Sequence, residues 1–206
     1  MSHGVVPDRI AEGARASIGP LARALAGVGV SANAVTIAGG VLSIIGAGLL
    51  AGGLPLPALI VLLIGTLADT LDGQLAKAAG GGTRLGAFLD STVDRIADGA
   101  LFVGAAASGA NLGQPLLLWS SLVALVASFL VPYVRAKAES LGVGASVGPA
   151  PREARIVIFL VGLAAWALFA LQALFVAAVL ALALLSSVTF LLRVVHVGRQ
   201  LSIKER

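Results

Sequence analysis

The chain has 206 residues, of which 58% are hydrophobic and only 12% charged, and its mean hydropathy is +1.02. That composition excludes an ordinary soluble domain and predicts an integral membrane protein; at about 20 residues per span, about six spans fit, with no room for a second soluble domain. There is no cysteine, which excludes disulfides, thiolate zinc sites and cysteine nucleophiles, and the formal net charge of +4 has no soluble basic region around it to suggest a nucleic-acid partner.

The N-terminus, Met1-Ser-His-Gly-Val-Val-Pro7, lacks a charged-then-apolar signal peptide, so the first membrane helix is expected to be retained. Over residues 5–30, Ile10, Ala14, Ile18, Leu21 and Leu25 recur at helical spacing with Arg9, Glu12 and Arg15 on other faces. The pattern predicts an interfacial amphipathic helix broken at Gly19-Pro20. Six apolar stretches follow: Asn33 to Leu50, Pro57 to Ala76, Thr83 to Ala107, Pro115 to Lys137, Ala154 to Leu171, and Phe175 to Val197. Gly80-Gly81-Gly82 forms a turn between the second and third, and a polar linker with Gly142, Gly144, Gly148, Pro149 and Pro151 separates the fourth from the fifth. The expected architecture is therefore all-α: one membrane domain over 1–206, with a juxtamembrane region over 1–30 and a six-helix bundle over 31–200. His3 and His196 lie near opposite ends, without a metal-ligand spacing between them.

Basic residues orient the bundle. Thirteen of the fourteen, from Arg9 to Arg206, fall in the N-terminal segment, the second and fourth loops, and the C-terminus. The loops near 51–56, 108–114 and 172–174 have none. The positive-inside rule places both termini in the cytoplasm, for a multi-pass protein of the plasma membrane. The exception is Arg95, inside the third span beside Asp94.

Four carboxylates, Asp69, Asp72, Asp90 and Asp94, lie within those apolar stretches. Asp69 and Asp72 are three residues apart and share a helix face; Asp90 and Asp94, four apart, share another. The two helices are consecutive and antiparallel. At about 1.5 Å per residue, Asp69 and Asp72 lie about 12 and 8 Å in from Lys77, and Asp90 and Asp94 about 10 and 16 Å in from Thr83. All four thus meet in the cytoplasmic half of the bilayer. Each ionised carboxylate there costs at least about 2.5–3.5 kcal/mol. They outnumber the bases near them (Lys77, Arg84, Arg95), and an all-oxygen donor set suits Mg²⁺, Mn²⁺ or Ca²⁺. Two such ions could clamp a phosphate for in-line displacement, with one carboxylate left as general base. Gly73 and Gly86, beside the acids, allow close approach of a helix or a ligand.

The same residues resemble the CDP-alcohol phosphotransferase family, whose motif is D-x-x-D-G-x-x-A-R, eight residues, then G-x-x-x-D-x-x-x-D. The match covers Asp69, Asp72, Gly73, Ala76, Gly86, Asp90 and Asp94, with Lys77 where the family has arginine. The resemblance implies attack of an acceptor hydroxyl on the β-phosphorus of a CDP-linked lipid, CDP-diacylglycerol, with release of CMP. It implies Asp69, Asp72, Asp90 and Asp94 as metal ligands for two Mg²⁺ or Mn²⁺ ions, and Asp94 as general base. Ala32, Asn33, Ala34, Val35, Gly73, Lys77 and Thr83 become CDP-lipid contacts. At position 77 lysine supplies a point charge without the guanidinium fork. A homodimer in membrane lipid is also implied.

A second segment, Tyr133-Val-Arg135-Ala-Lys137-Ala-Glu139, followed by Val147-Gly148 and Arg152-Glu153-Ala-Arg155, resembles the actinobacterial phosphatidylinositol phosphate synthase branch of that family. Arg135, Lys137, Arg152 and Arg155, joined by Arg193, form a basic cluster suited to a phosphorylated acceptor, here inositol phosphate. Asp98 and Glu139 receive no role. The alternatives are a relative using glycerol 3-phosphate or another small alcohol, and, from a different class, an ion-coupled transporter. Transporter carboxylates cluster at the midplane, whereas these open toward one face.

Overall fold

Apolar runs interrupted by proline and glycine give helices with abrupt ends, and the computed structural model, which describes residues 19–204, is helical throughout with no strand among those residues. Residues 19–27 (α1) are helical, with Gly19 and Pro20, the expected break, at its first described positions; residues 5–18 of the segment expected to form an interfacial helix lie outside the described residues. Then come α2 (Ala32–Ala51), α3 (Pro55–Ala78), α4 (Arg84–Asn111), α5 (Pro115–Ser140), α6 (Arg152–Phe169) and α7 (Gln172–Lys204). Each apolar stretch read from the sequence is one of these helices. Several run past their apolar limits, α7 most of all, to Lys204. Hydropathy marks only the part that must avoid water, whereas backbone hydrogen bonding carries the helix on through Arg199 and Gln200.

The ends have local causes. Ser31 caps α2, its hydroxyl accepting from the Ala34 N–H at 3.2 Å. Pro55 and Pro115 open α3 and α5, where a missing N–H costs nothing. Gly80 and Gly81 turn the chain after α3 with φ of +98° and +119°, a region closed to most L-residues.

Four helices, α2, α3, α5 and α7, are long and apolar enough to cross a membrane. The 28-residue α4 and the 18-residue α6 have the length. Their composition sets them apart: α4 carries Asp90, Asp94, Arg95 and Asp98, and α6 opens with Arg152, Glu153 and Arg155.

Two compact units divide the chain, one ending at Leu101 and one beginning at Phe102, with α4 running from the first into the second. In the first, α2 packs along α3. Gly39 and Gly65 make this possible: a Cβ on either would lie 3.2 Å from the other's carbonyl oxygen. Small residues at a membrane helix interface let backbones approach and gain dispersion contacts that lipid cannot outcompete. In the second unit α7 packs against both α5 and α6. Its core is aromatic: Phe159 and Phe175 meet edge to face at 5.3 Å, Phe102 meets Phe159 at 6.0 Å, and Trp166 stacks on Phe175 at 5.6 Å. Ile37, Val41, Ile44 and Ile45 remain exposed on α2, as a lipid-facing surface requires. Two of the buried hydroxyls turn back onto their own helix, Ser121 donating to the Leu117 carbonyl at 2.7 Å and Thr189 to that of Leu185 at 2.8 Å.

Candidate active site

The carboxylates come together as their spacing requires, with one distinction the spacing did not anticipate. Asp69, Asp90 and Asp94 each present an oxygen, and the three oxygens all lie within 4.8 Å of one another. Asp72 stands outside this trio. It is buried, and its Oδ2 accepts a 2.5 Å hydrogen bond from the Thr36 hydroxyl of α2. The charges of Asp69 and Asp90 still act on it. A trio of carboxylate oxygens this close is a hard, anionic donor set, which suits Mg²⁺ or Mn²⁺ and leaves positions for substrate oxygens.

A cleft of about 520 Å³ adjoins the trio. Asp90 belongs to both, and Asp72, Thr36 and Gly73 line the same cleft. Of the residues expected to contact the CDP-lipid, Ala32, Asn33, Gly73 and Thr83 lie on its wall, while Ala34, Val35 and Lys77 do not. Lys77 is exposed in the last turn of α3. The two motif glycines both line the cleft but differ in their surroundings. A Cβ on Gly73 would meet nothing within 4 Å, so this glycine opens the cleft and does not serve helix packing. Gly86 lines the cleft as well, but a Cβ there would press on the Thr83 hydroxyl at 3.1 Å and the Asn33 amide oxygen at 3.2 Å, so its lack of a side chain lets these two cleft-wall residues sit close. Thr83 accepts from the Gly86 N–H at 2.9 Å, capping α4, which leaves the hydroxyl's own proton for a further bond.

The basic cluster belongs to the second unit. Arg135 and Arg155 are close enough to Arg193 for their charges to bear on it, with Glu139 opposing them. Arg155 is 4% exposed. Arg193 donates through Nε to the Val147 carbonyl at 3.0 Å and through Nη1 to that of Val131 at 2.9 Å, clasping the linker to α5. The linker is held again where the Ala150 N–H donates to the Thr189 hydroxyl at 3.2 Å. Arg135 is exposed and pairs with Glu139 at 2.9 Å; Lys137 is exposed and Arg152 half-buried.

Sequence reasoning missed Thr36. The available signal was a hydroxyl one helical turn inside α2, three residues after Asn33, on the helix that packs against the aspartate-bearing α3. It also missed Ser31, Gly81 and Gly82 on the cleft wall.

The chain is similar to several known proteins. The phosphatidylinositol phosphate synthase of Mycolicibacterium smegmatis is 40% identical over 148 residues, 69% of this chain and 65% of the relative. The archaetidylinositol phosphate synthase of Methanothermobacter thermautotrophicus is 40% identical over 134 residues, 65% of each chain. The matched segments thus span slightly less than two thirds of these curated relatives. Among solved structures, the Mycobacterium tuberculosis phosphatidylinositol phosphate synthase in complex with manganese and citrate superposes with a TM-score of 0.81 at 34% identity, covering 88% of each chain. The same protein with CDP-DAG bound gives a TM-score of 0.80 at 34% identity, over 87% of this chain and 92% of that one. Residues 29–199 match the CDP-alcohol phosphatidyltransferase family model, from just before α2 to within the last helix, and the chain belongs to that family.

Proposed function

We propose that this chain is an integral-membrane phosphatidylinositol phosphate synthase: it transfers the phosphatidyl group of CDP-diacylglycerol to inositol phosphate and releases CMP. The carrying observation is the Asp69–Asp90–Asp94 trio adjoining a cleft opened by Gly73. The names of the mycobacterial relatives and the CDP-DAG complex of a structural neighbour support the choice of substrates.

In this reading the cleft wall of Ala32, Asn33, Gly73 and Thr83 holds the nucleotide diphosphate, with the Thr83 hydroxyl as a donor and Lys77 as a more distant positive charge. Asp94 takes the proton of the acceptor hydroxyl as its oxygen forms the new bond to the β-phosphorus. The bond from that phosphorus to the CMP oxygen breaks, and CMP departs. Asp69, Asp72, Asp90 and Asp94 would hold two divalent ions, Mg²⁺ or Mn²⁺, which would supply positive charge to the transferring phosphate. Asp72 would join them from the cleft wall, where Thr36 holds it. Arg155, with Arg135 and Arg193, binds the acceptor's own phosphate, and Arg152 and Lys137 raise the local positive potential.

The membrane arrangement is part of the proposal. α4 and α6 join the four apolar helices as spans, giving six, with both termini and the reaction on the cytoplasmic side of the plasma membrane, and two copies pair as a homodimer. The deciding experiment follows CMP release by purified protein given CDP-diacylglycerol and Mg²⁺, comparing inositol phosphate, inositol and glycerol 3-phosphate as acceptors. Release that depends on inositol phosphate is expected. Equal turnover with unphosphorylated inositol, or a preference for glycerol 3-phosphate, would replace this acceptor assignment.

A further inference from the structure

The helix that carries Asp90 and Asp94 carries a third acid on the same face, Asp98, one turn further along, about 6 Å. Asp98 is 4% exposed and lies outside the trio. Between it and Asp94 sits Arg95, the only basic residue that the charge pattern could not assign to a loop or terminus. Arg95 Nη2 is 3.6 Å from Asp94 Oδ2 and 4.0 Å from Asp98 Oδ2. Its Nε is buried without a hydrogen-bond partner, and Asp94 and Asp98 are the carboxylates its guanidinium pairs with. The side chains become less exposed in order, 27% for Arg95, 16% for Asp94 and 6% for Asp98.

We propose that Arg95 is a positioning residue: anchored by the buried Asp98, its guanidinium sets the orientation of the Asp94 carboxylate within the Asp69–Asp90–Asp94 trio. This rests on the reading of Asp94 as the base. An isolated Arg95–Asp98 pair would satisfy burial alone. The shared Nη2 makes Asp94 part of the same arrangement. A carboxylate that must both face a hydroxyl and share a site with two others gains from a fixed cation on its outer side, because repulsion would otherwise turn it away. The same cation repels any divalent ion at the trio. Arg95 therefore trades metal affinity for orientation, and the two consequences have opposite signs.

The test uses the full chain in detergent micelles, with Mn²⁺ binding followed by the electron paramagnetic resonance signal of the free ion, alongside turnover at saturating Mn²⁺. Arg95→Met is expected to bind Mn²⁺ more tightly, by about threefold or more, from removal of a nearby positive charge. Its kcat should fall about tenfold or more while the KM for CDP-diacylglycerol holds. Arg95→Lys should restore wild-type Mn²⁺ affinity. Asp98→Asn, which keeps the cation but loosens its anchor, should lower kcat without tightening Mn²⁺. Tighter binding with slower turnover is not what a general loss of structure produces. Weaker or unchanged Mn²⁺ binding in Arg95→Met, or an unchanged kcat, overturns the assignment. Should Arg95→Met not fold, an unchanged kcat in Asp98→Asn overturns it equally. A wild-type chain that binds no Mn²⁺ overturns the metal reading of the site and this inference with it, whereas wild-type binding with indifferent variants overturns the role of Arg95 alone.

Discussion

The Thr36 hydroxyl on α2 donates to Asp72 Oδ2 on α3 at 2.5 Å, tying the helix that starts the cleft to the helix that carries the first acidic pair. The same hydroxyl lies 3.0 Å from the Ala32 carbonyl. With one proton to give, its shorter contact to the carboxylate is the stronger. A hydrogen bond to a charged group contributes about 1.5–3 kcal/mol. Thr36→Val should therefore lower turnover about tenfold or more, and Thr36→Ser should keep most of it. Equal rates for the Val and Ser variants would show that Asp72 needs no such partner.

The trio predicts separable losses. Asp69→Asn and Asp90→Asn should each abolish Mn²⁺ binding and turnover together, because an amide is a neutral and weaker ligand. Chelation of the wild type should do the same, reversibly. Asp94→Asn should stop turnover while the protein still binds CDP-diacylglycerol. Normal turnover by Asp94→Asn would move the base elsewhere.

The six-span arrangement is open to direct labelling. Gly52 and Gly144 are both exposed, and Gly52, with φ of −73°, accepts a side chain where the neighbouring Gly53, at +75°, would be strained. Cysteines introduced singly at Gly52 and Gly144 should react with an impermeant thiol reagent from opposite sides of the membrane, with Gly144 on the cytoplasmic side. Reaction of both from one side would remove the model.

The arginines of the second unit should not behave alike. Arg155→Ala removes a buried cation and should raise the KM for inositol phosphate about tenfold, leaving that for CDP-diacylglycerol unchanged. Arg193→Ala removes in addition the clasp on the Val147 and Val131 carbonyls, so its melting temperature should drop where that of Arg135→Ala, an exposed residue paired with Glu139, holds. Equal stability of the Arg193 and Arg135 variants would mean that the linker does not depend on its clasp.

Much of this protein is written locally. The membrane character, the existence and order of the helices and the face shared by Asp90 and Asp94 follow from residue type and helical periodicity, since each depends on neighbours a few positions away. The family is equally legible, because its motif joins two consecutive helices across a turn that Gly80 and Gly81 make short. Tertiary structure decided what depends on contacts distant in sequence. Thr36 and Asp72 are 36 positions apart, and only the close approach of α2 and α3 through Gly39 and Gly65 brings that hydroxyl to that carboxylate. Arg193 and Val131 are 62 apart, and a residue read from the sequence as a member of the basic cluster is also a clasp on backbone carbonyls. Gly73 and Gly86 carry the same letter in the same motif and both line the cleft, yet one has open space around it and the other lies against the Thr83 and Asn33 side chains. Periodicity says which residues share a face; what lies opposite that face is decided by packing.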